Sequence, residues 1–113
     1  MIFRRVKSKY GNHKTQVDGH VFDSAKEAER YKSLVLLERA GSIDGLRIQV
    51  PFVLAPGAVV KGRKRPPIRY IADFVYLESG EIIVEDCKGV RTDVYRLKRH
   101  LMMVVHGVDI RET

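Results

Sequence analysis

Apolar and polar residues alternate most regularly between Ile68 and Val90, in IRYIADFVYLESGEIIVEDCKGV. Two strand-like runs, Ile68–Leu77 and Glu81–Lys88, flank Ser79-Gly80, a dipeptide that favours a turn. A two-residue loop there predicts Glu78 opposite Glu81, Leu77 opposite Ile82, Val75 opposite Val84 and Asp73 opposite Asp86. A three-residue loop would pair Asp73 with Glu85 instead. In either register Asp86 and Lys88 share a face, because side chains alternate along a strand. Glu85 and Cys87 then point the other way.

The same reading extends over the rest of the chain. Asp18-Gly19, between Thr15-Gln16-Val17 and His20-Val21-Phe22, predicts a small hairpin. Ser24 to Ala40 predicts a helix: Ser24 is an N-cap, Glu27 stands at the capping-box position, and Ala28, Tyr31, Leu34 or Val35 recur at helical spacing. Gly41 is the C-cap candidate. Leu46 to Leu54 predicts a strand that Pro51 places at an edge or a bulge. Ala55 to Pro67, rich in Pro and Gly, predicts a loop. Thr92 or Asp93 caps a second helix running to about Val105. Its expected buried face is Val94, Leu97, Leu101 and Val104 or Val105, with Arg91, Tyr95, Arg96, Lys98 and Arg99 around it. Gly107 ends the helix, and Val108–Ile110 predicts a last short strand. Met102 and Met103 are expected in the core.

Length and composition fit one small globular domain: 113 residues, 44% hydrophobic and 31% charged. The expected division is a basic N-terminal arm, 1–14, and a single domain, 15–113. A net charge of +7 makes an anionic partner the first expectation, and nucleic acid the first anion. The basic residues cluster. Arg4, Arg5, Lys7, Lys9 and Lys14 occupy the arm with no acid among them. Lys61, Arg63, Lys64, Arg65 and Arg69 follow in and beside the Pro/Gly-rich segment. The alternative for both clusters is charge that serves only solubility. A single Cys excludes an internal disulfide and fits a reducing compartment. No apolar run is long enough to span a membrane, and no signal-peptide core is present. The expected location is cytoplasmic.

Asp73 and Asp86 change this picture. Two carboxylates placed opposite each other repel, which serves no folding purpose. A divalent cation between them removes the conflict, and Mg²⁺ takes only one or two protein carboxylates and keeps several waters. The Cys87 carbonyl is a third possible ligand, and Lys88 stands where it would meet a phosphate. These parts suit metal-assisted phosphodiester hydrolysis. From the residues alone, Glu27 serves either as the helix cap or as a further carboxylate of the site. His13, His20, His100 and His106 show no zinc-ligand spacing. Cys87 reads as core rather than nucleophile.

Asp73 followed by Asp86-Cys87-Lys88 on adjacent strands resembles the PD-(D/E)XK nuclease superfamily. VDGHVFDSAKEAERY, LRIQVPF, RYIADFVY, VEDCKG and TDVYRLKRHLM together resemble a small phage- and prophage-associated family of that superfamily, long catalogued as a domain of unknown function. The resemblance runs from about Tyr10 onward. It implies an α/β fold with a restriction-endonuclease-like core, a mixed β-sheet flanked by two main helices. It also implies DNA cleavage that depends on Mg²⁺, with Mn²⁺ able to substitute. By position, Asp73, Asp86 and Glu27 would hold the metal and Lys88 would orient or activate the water. Gln49 is a weaker candidate. Ala72 departs from the pattern, standing where the family's name has Pro. Arg4, Arg5, Lys61, Arg63, Lys64, Arg65, Arg69, Arg91, Tyr95 and Lys98 are the expected DNA contacts.

The expected function is therefore a metal-dependent endodeoxyribonuclease, encoded by phage or prophage and working in the bacterial cytoplasm. Branched DNA such as a Holliday junction, met in replication or recombination, is a plausible substrate. A homodimer would let so small a chain cut both strands. The alternative is a DNA-binding module with no catalysis, and a third reading is a structural protein of a phage assembly. A pure binder has no use for acids in a basic groove.

Overall fold

A computed structural model describes residues 14–113. The expected contacts Arg4 and Arg5, with nearly all of the N-terminal arm, lie outside the described residues.

The fold is α/β. Its elements are β1 (Thr15–Val17), β2 (His20–Phe22), α1 (Ala25–Arg39), β3 (Asp44–Ala55), β4 (Ala58–Val60), β5 (Arg63–Arg65), β6 (Ile68–Glu78), β7 (Glu81–Asp86), α2 (Asp93–His106) and β8 (Arg111–Glu112). The main sheet has the order β3-β6-β7-β8. Its first three strands are antiparallel and β8 runs parallel to β7, so the sheet is mixed. The parallel step is made through α2, which supplies the long crossover such a pairing needs. Pro51 does lie on an edge strand, opposite Ile71 of β6.

Local chemistry sets the element ends. Ser24 Oγ accepts the Glu27 N–H, and Thr92 Oγ1 accepts the Tyr95 N–H. Each cap satisfies one orphan donor of its helix. Gly107 closes α2 at φ 66°, a left-handed value that costs glycine nothing. The Ser79-Gly80 turn gives the two-residue register, with Glu78 opposite Glu81, Val75 opposite Val84 and Phe74 opposite Glu85. The ladder ends at that last pair, one residue short of Asp73 and Asp86.

The two helices cover opposite faces of the sheet. Ala28, Tyr31 and Leu34 of α1 pack with Phe22, Phe74 and Tyr76. Tyr95 and Met102 of α2 pack with Tyr70, Ala72, Val75 and Val84. Burying an aliphatic or aromatic side chain as fully as Leu34 or Phe22 contributes about 1.5–3 kcal/mol.

The strands do not keep one face throughout. On β3, Leu46 and Ile48 join the α1 cluster, whereas Val50, Phe52 and Leu54 join the α2 cluster. On β6, Tyr70 and Ala72 face α2, whereas Phe74 and Tyr76 face α1. Residues two apart in a regular strand share a face. Both strands therefore turn over between these pairs, at Gln49 and Asp73. Gln49 takes φ 51°, a conformation uncommon outside glycine.

Four expectations are corrected. The segment Ala55–Pro67 is not an irregular loop: β4 and β5 form an antiparallel hairpin with Val60 opposite Arg63 and Val59 opposite Lys64. Gly57 pinches its base, where an added Cβ would lie 2.8 Å from the Arg65 carbonyl oxygen. Next, α2 does not bury its apolar stripe: Val94, Leu97 and Val104 are 63%, 60% and 67% exposed. The side chains it buries are Tyr95 and Met102, because hydrogen bonding to Glu112 and ring packing on Tyr70 orient the helix through Tyr95. Met103, expected in the core, is 48% exposed for the same reason. The last strand is Arg111–Glu112 rather than Val108–Ile110, since Ile110 is needed in the α2 core.

Candidate active site

The overturn at Gln49 and Asp73 brings the sheet's acidic residues to the start of α1. Asp23, Ser24, Glu27, Asp73, Cys87, Lys88 and Thr92 are among the residues lining a cleft of about 230 Å³ there. A larger cavity of about 470 Å³ lies near the Ser79-Gly80 end, lined mainly by apolar residues with Val75, Leu77 and Ile82 among them. It holds no carboxylate, so the chemistry belongs to the smaller cleft.

Each carboxylate of the cleft has its own anchor. Glu27 is 4% exposed, and its Oε1 accepts a 2.9 Å hydrogen bond from Gln49 Nε2. Only one half of the capping box forms: Ser24 receives the Glu27 N–H, while the Glu27 side chain turns inward. Asp73 Oδ2 accepts the Cys87 N–H at 2.8 Å, bridging β6 to the end of β7. Asp86 is 1% exposed, and its Oδ2 accepts the Tyr70 hydroxyl at 2.5 Å. Asp86 Oδ1 is buried and has no hydrogen-bond partner among the described residues. The Lys88 ammonium stands 3.4 Å from it. That ammonium also sits over the Tyr95 ring, 4.6 Å from its centroid, an arrangement that favours a cation.

Crowding and burial raise the acids' proton affinity. Desolvation by burial, then the Asp23 and Asp86 charges, push Glu27 up to about 7. Burial first, then Asp86 and Glu27, hold Asp73 well above the usual carboxylate range. Burial pushes the Cys87 thiol up to about 11, so this Cys is not a thiolate nucleophile at neutral pH.

The neighbouring acid is built differently. Glu85 is fully buried on the α1 face, gripped by Arg30 through bonds of 2.7 and 2.8 Å and by the Tyr76 hydroxyl at 2.7 Å. All its charge is matched, and none of it faces the cleft. On the α2 side, Glu112 accepts from Tyr95, Arg99 and Arg91 at 2.6, 3.0 and 3.1 Å. The Tyr95 hydrogen bond, with those arginines, lowers its pKa.

The structure therefore brings together Glu27, Gln49, Asp73, Asp86 and Lys88. Lys61, Arg63, Lys64, Arg65 and Arg69 are all exposed on or at the base of the β4–β5 hairpin. Arg69 lies four residues from Asp73, about 13 Å along the strand. Tyr95 is corrected: it is 5% exposed with its hydroxyl on Glu112, so it supports Lys88 rather than meeting DNA. Arg91 is partly occupied by Glu112, and Lys98 is half-buried. Asp23 and Tyr70 escaped the sequence reading. Asp23 adjoins the cap and carries no signal of its own. Tyr70 alternates onto the face of Asp86 only after the strand turns over.

Among the described residues, no group of three or more His, Cys, Asp or Glu converges to hold a metal ion by itself. Gln49, the Cys87 amide and Tyr70 each hold one carboxylate in place. The donor set still fits a partly hydrated hard cation, which needs one or two carboxylates and completes its shell with water. Asp86 Oδ1, buried with no hydrogen-bond partner among the described residues and 3.4 Å from the Lys88 ammonium, is the acceptor left over in this set. Glu27 makes this measurable. A raised carboxyl pKa means that the fold favours the protonated form. That stability is present below the unfolded value of 4.5 and is lost as pH climbs through about 7. Asp73 acts in the same direction. Metal-free protein is therefore expected to lose thermal stability between about pH 5 and about pH 8, with added Mg²⁺ or Mn²⁺ restoring more at the higher pH. Thermal denaturation across pH, with and without cation, checks it. A cation response that ignores pH would sink the link to these acids.

Fold and cleft together define an α/β protein with a buried carboxylate cluster beside a lysine. The chain belongs to the family described as "Protein of unknown function (DUF1064)", which matches residues 7–112. No curated protein and no solved structure matches the chain. Among the described residues, no helix is long and apolar enough to cross a membrane.

Proposed function

We propose that this protein is a divalent-cation-dependent endonuclease acting on DNA, with the restriction-endonuclease-like core that the sequence resemblance implies. Its setting is then the cytoplasm of a bacterium carrying the phage or prophage, with branched DNA among the substrates to test. One observation carries the reading: a chain of net charge +7 lines one cleft with Glu27, Asp73 and Lys88 and buries Asp86 beside it, where among the described residues its Oδ1 meets only the Lys88 ammonium at 3.4 Å. Acids in a basic phosphate-binding surface weaken binding unless a cation bridges them to the phosphate.

Asp73, Asp86 and Glu27 would hold Mg²⁺ or Mn²⁺, with the Cys87 carbonyl as a further oxygen donor. The cation supplies Lewis-acid charge at the attacked phosphate. The chain's own residues do the rest. Lys88, steadied between Asp86 and the Tyr95 ring, faces the phosphate oxygens as negative charge builds there. Glu27 would take the proton of the attacking water as the new P–O bond forms and the P–O bond to the leaving sugar oxygen breaks, that oxygen taking a proton from solvent. Gln49 keeps the Glu27 carboxylate turned into the cleft. Tyr70 fixes one Asp86 oxygen so that the other points where the cation is needed. The β4–β5 hairpin grips the flanking backbone through exposed Arg and Lys.

The test is cleavage of linear duplex, a flap and a four-way junction with Mg²⁺, with Mn²⁺ and with EDTA. Cutting is expected with either metal, lost in EDTA and strongly reduced in Lys88→Ala. Tight binding without cutting under every metal would leave a non-catalytic DNA-binding module in its place.

A further inference from the structure

The apolar stripe of α2 lies exposed along the helix. Val94, Leu97, Leu101 and Val104 recur at intervals of three, four and three residues. That is the a/d spacing of two consecutive heptads. The stripe is not the helix's core face. Tyr95 and Met102, which are buried, each follow a stripe residue and so project about 100° away around the helix. Leu101 alone touches the core at its edge. The remaining three stay open to solvent.

Flanking charges say what covers it. In that heptad frame Asp93 stands at g and Lys98 at the following e. These are the positions that meet across a parallel two-stranded seam. The Asp93 side chain is fully exposed, with only a 3.4 Å contact to Arg96 on its own helix. Lys98 makes no ion pair within the described chain. A second copy of the same helix presents Lys98 to Asp93 and Asp93 to Lys98, so the seam is self-complementary in charge as well as in shape.

We infer that α2 is the seam of a two-fold homodimer, with the helices parallel and Val94, Leu97, Leu101 and Val104 packed against their own copies. Such an interface is isologous and closed. Because Lys88 contacts Tyr95 in the first turn of α2, a parallel seam brings both clefts to the same end of the dimer. Two heptads form a short seam, so the dimer is reversible and depends on concentration.

The test is the mass of the full chain by light scattering or sedimentation, from low micromolar to hundreds of micromolar. Wild type is expected to pass from monomer to dimer. Leu97→Glu and, separately, Val104→Glu are expected to raise the dissociation constant at least about tenfold, since each buries an unpaired charge at the seam. Both positions are exposed in the monomer, so circular dichroism should match wild type. Asp93→Lys and Lys98→Asp are each expected to weaken the dimer about threefold, and the double exchange to restore it. A wild type that stays monomeric throughout overturns the inference. So does a dimer indifferent to both Glu substitutions, which would place the contact elsewhere. Failure of the double exchange to restore affinity overturns the parallel arrangement. None of these results depends on DNA cleavage.

Discussion

Asp86→Asn is expected to abolish metal-dependent cleavage while leaving the fold about as stable as wild type. The amide cannot supply the negative oxygen that Oδ1 would offer a cation. Metal-ion stabilisation of a phosphoryl transition state is worth several kcal/mol. Each 1.4 kcal/mol or so is a factor of ten in rate. A loss of about 10³-fold or more follows from the same two principles. Stability behaves differently. Asn still accepts the Tyr70 hydroxyl through its own oxygen. The substitution removes a carboxylate that is 1% exposed and only partly matched by Lys88 at 3.4 Å. Lys88, whose side chain is 31% exposed, can turn to water once its partner is neutral, so no buried charge is left stranded. The unfolding midpoint should therefore stay within about 1 kcal/mol of wild type, read by denaturant titration in the absence of metal. A collapse in stability would mean that Asp86 is a structural residue, and the lost activity would then say nothing about chemistry.

The adjacent acid should reverse this pattern. Glu85→Ala is expected to cost about 3 kcal/mol by breaking a buried ion pair. It strips the Arg30 fork and the Tyr76 hydroxyl of a shared acceptor and opens a cavity at a site with no exposure. For a domain of this size the melting temperature should fall by about 15 °C. Below that temperature the folded variant should still cut DNA, because no Glu85 oxygen reaches the cleft. Loss of cleavage in folded Glu85→Ala would show that the α1 face contributes to the site. Together the two neighbours separate an acid held for function from one held for folding.

What could be read from the residues was whatever is decided locally. Ser79-Gly80 carries the hairpin register in two positions, and Ser24 and Thr92 carry their helix starts. Alternation then separates Asp86 from Glu85 without further information. The inward turn of Glu27 was harder to see, because Ser24 and Glu27 satisfy a capping pattern whose second half the folded chain leaves unmade. Gln49 taking a left-handed conformation leaves no local mark, since its cause is the joint overturn of β3 and β6. Nor does spacing show which way α2 faces. Its strongest apolar stripe points outward, and a tyrosine hydrogen bond to Glu112 outweighs it. Tyr70 and Asp23 enter the site only through tertiary placement.

The β4–β5 hairpin carries one last consequence. Every residue of β4 and β5 is exposed, and the hairpin is joined to the rest through the pinch at Gly57. Its tip can therefore accept substitution, lengthening or replacement without disturbing either hydrophobic cluster. For the engineer, the same hairpin is a graft point: a foreign loop fitted above Gly57 would leave both clusters in place.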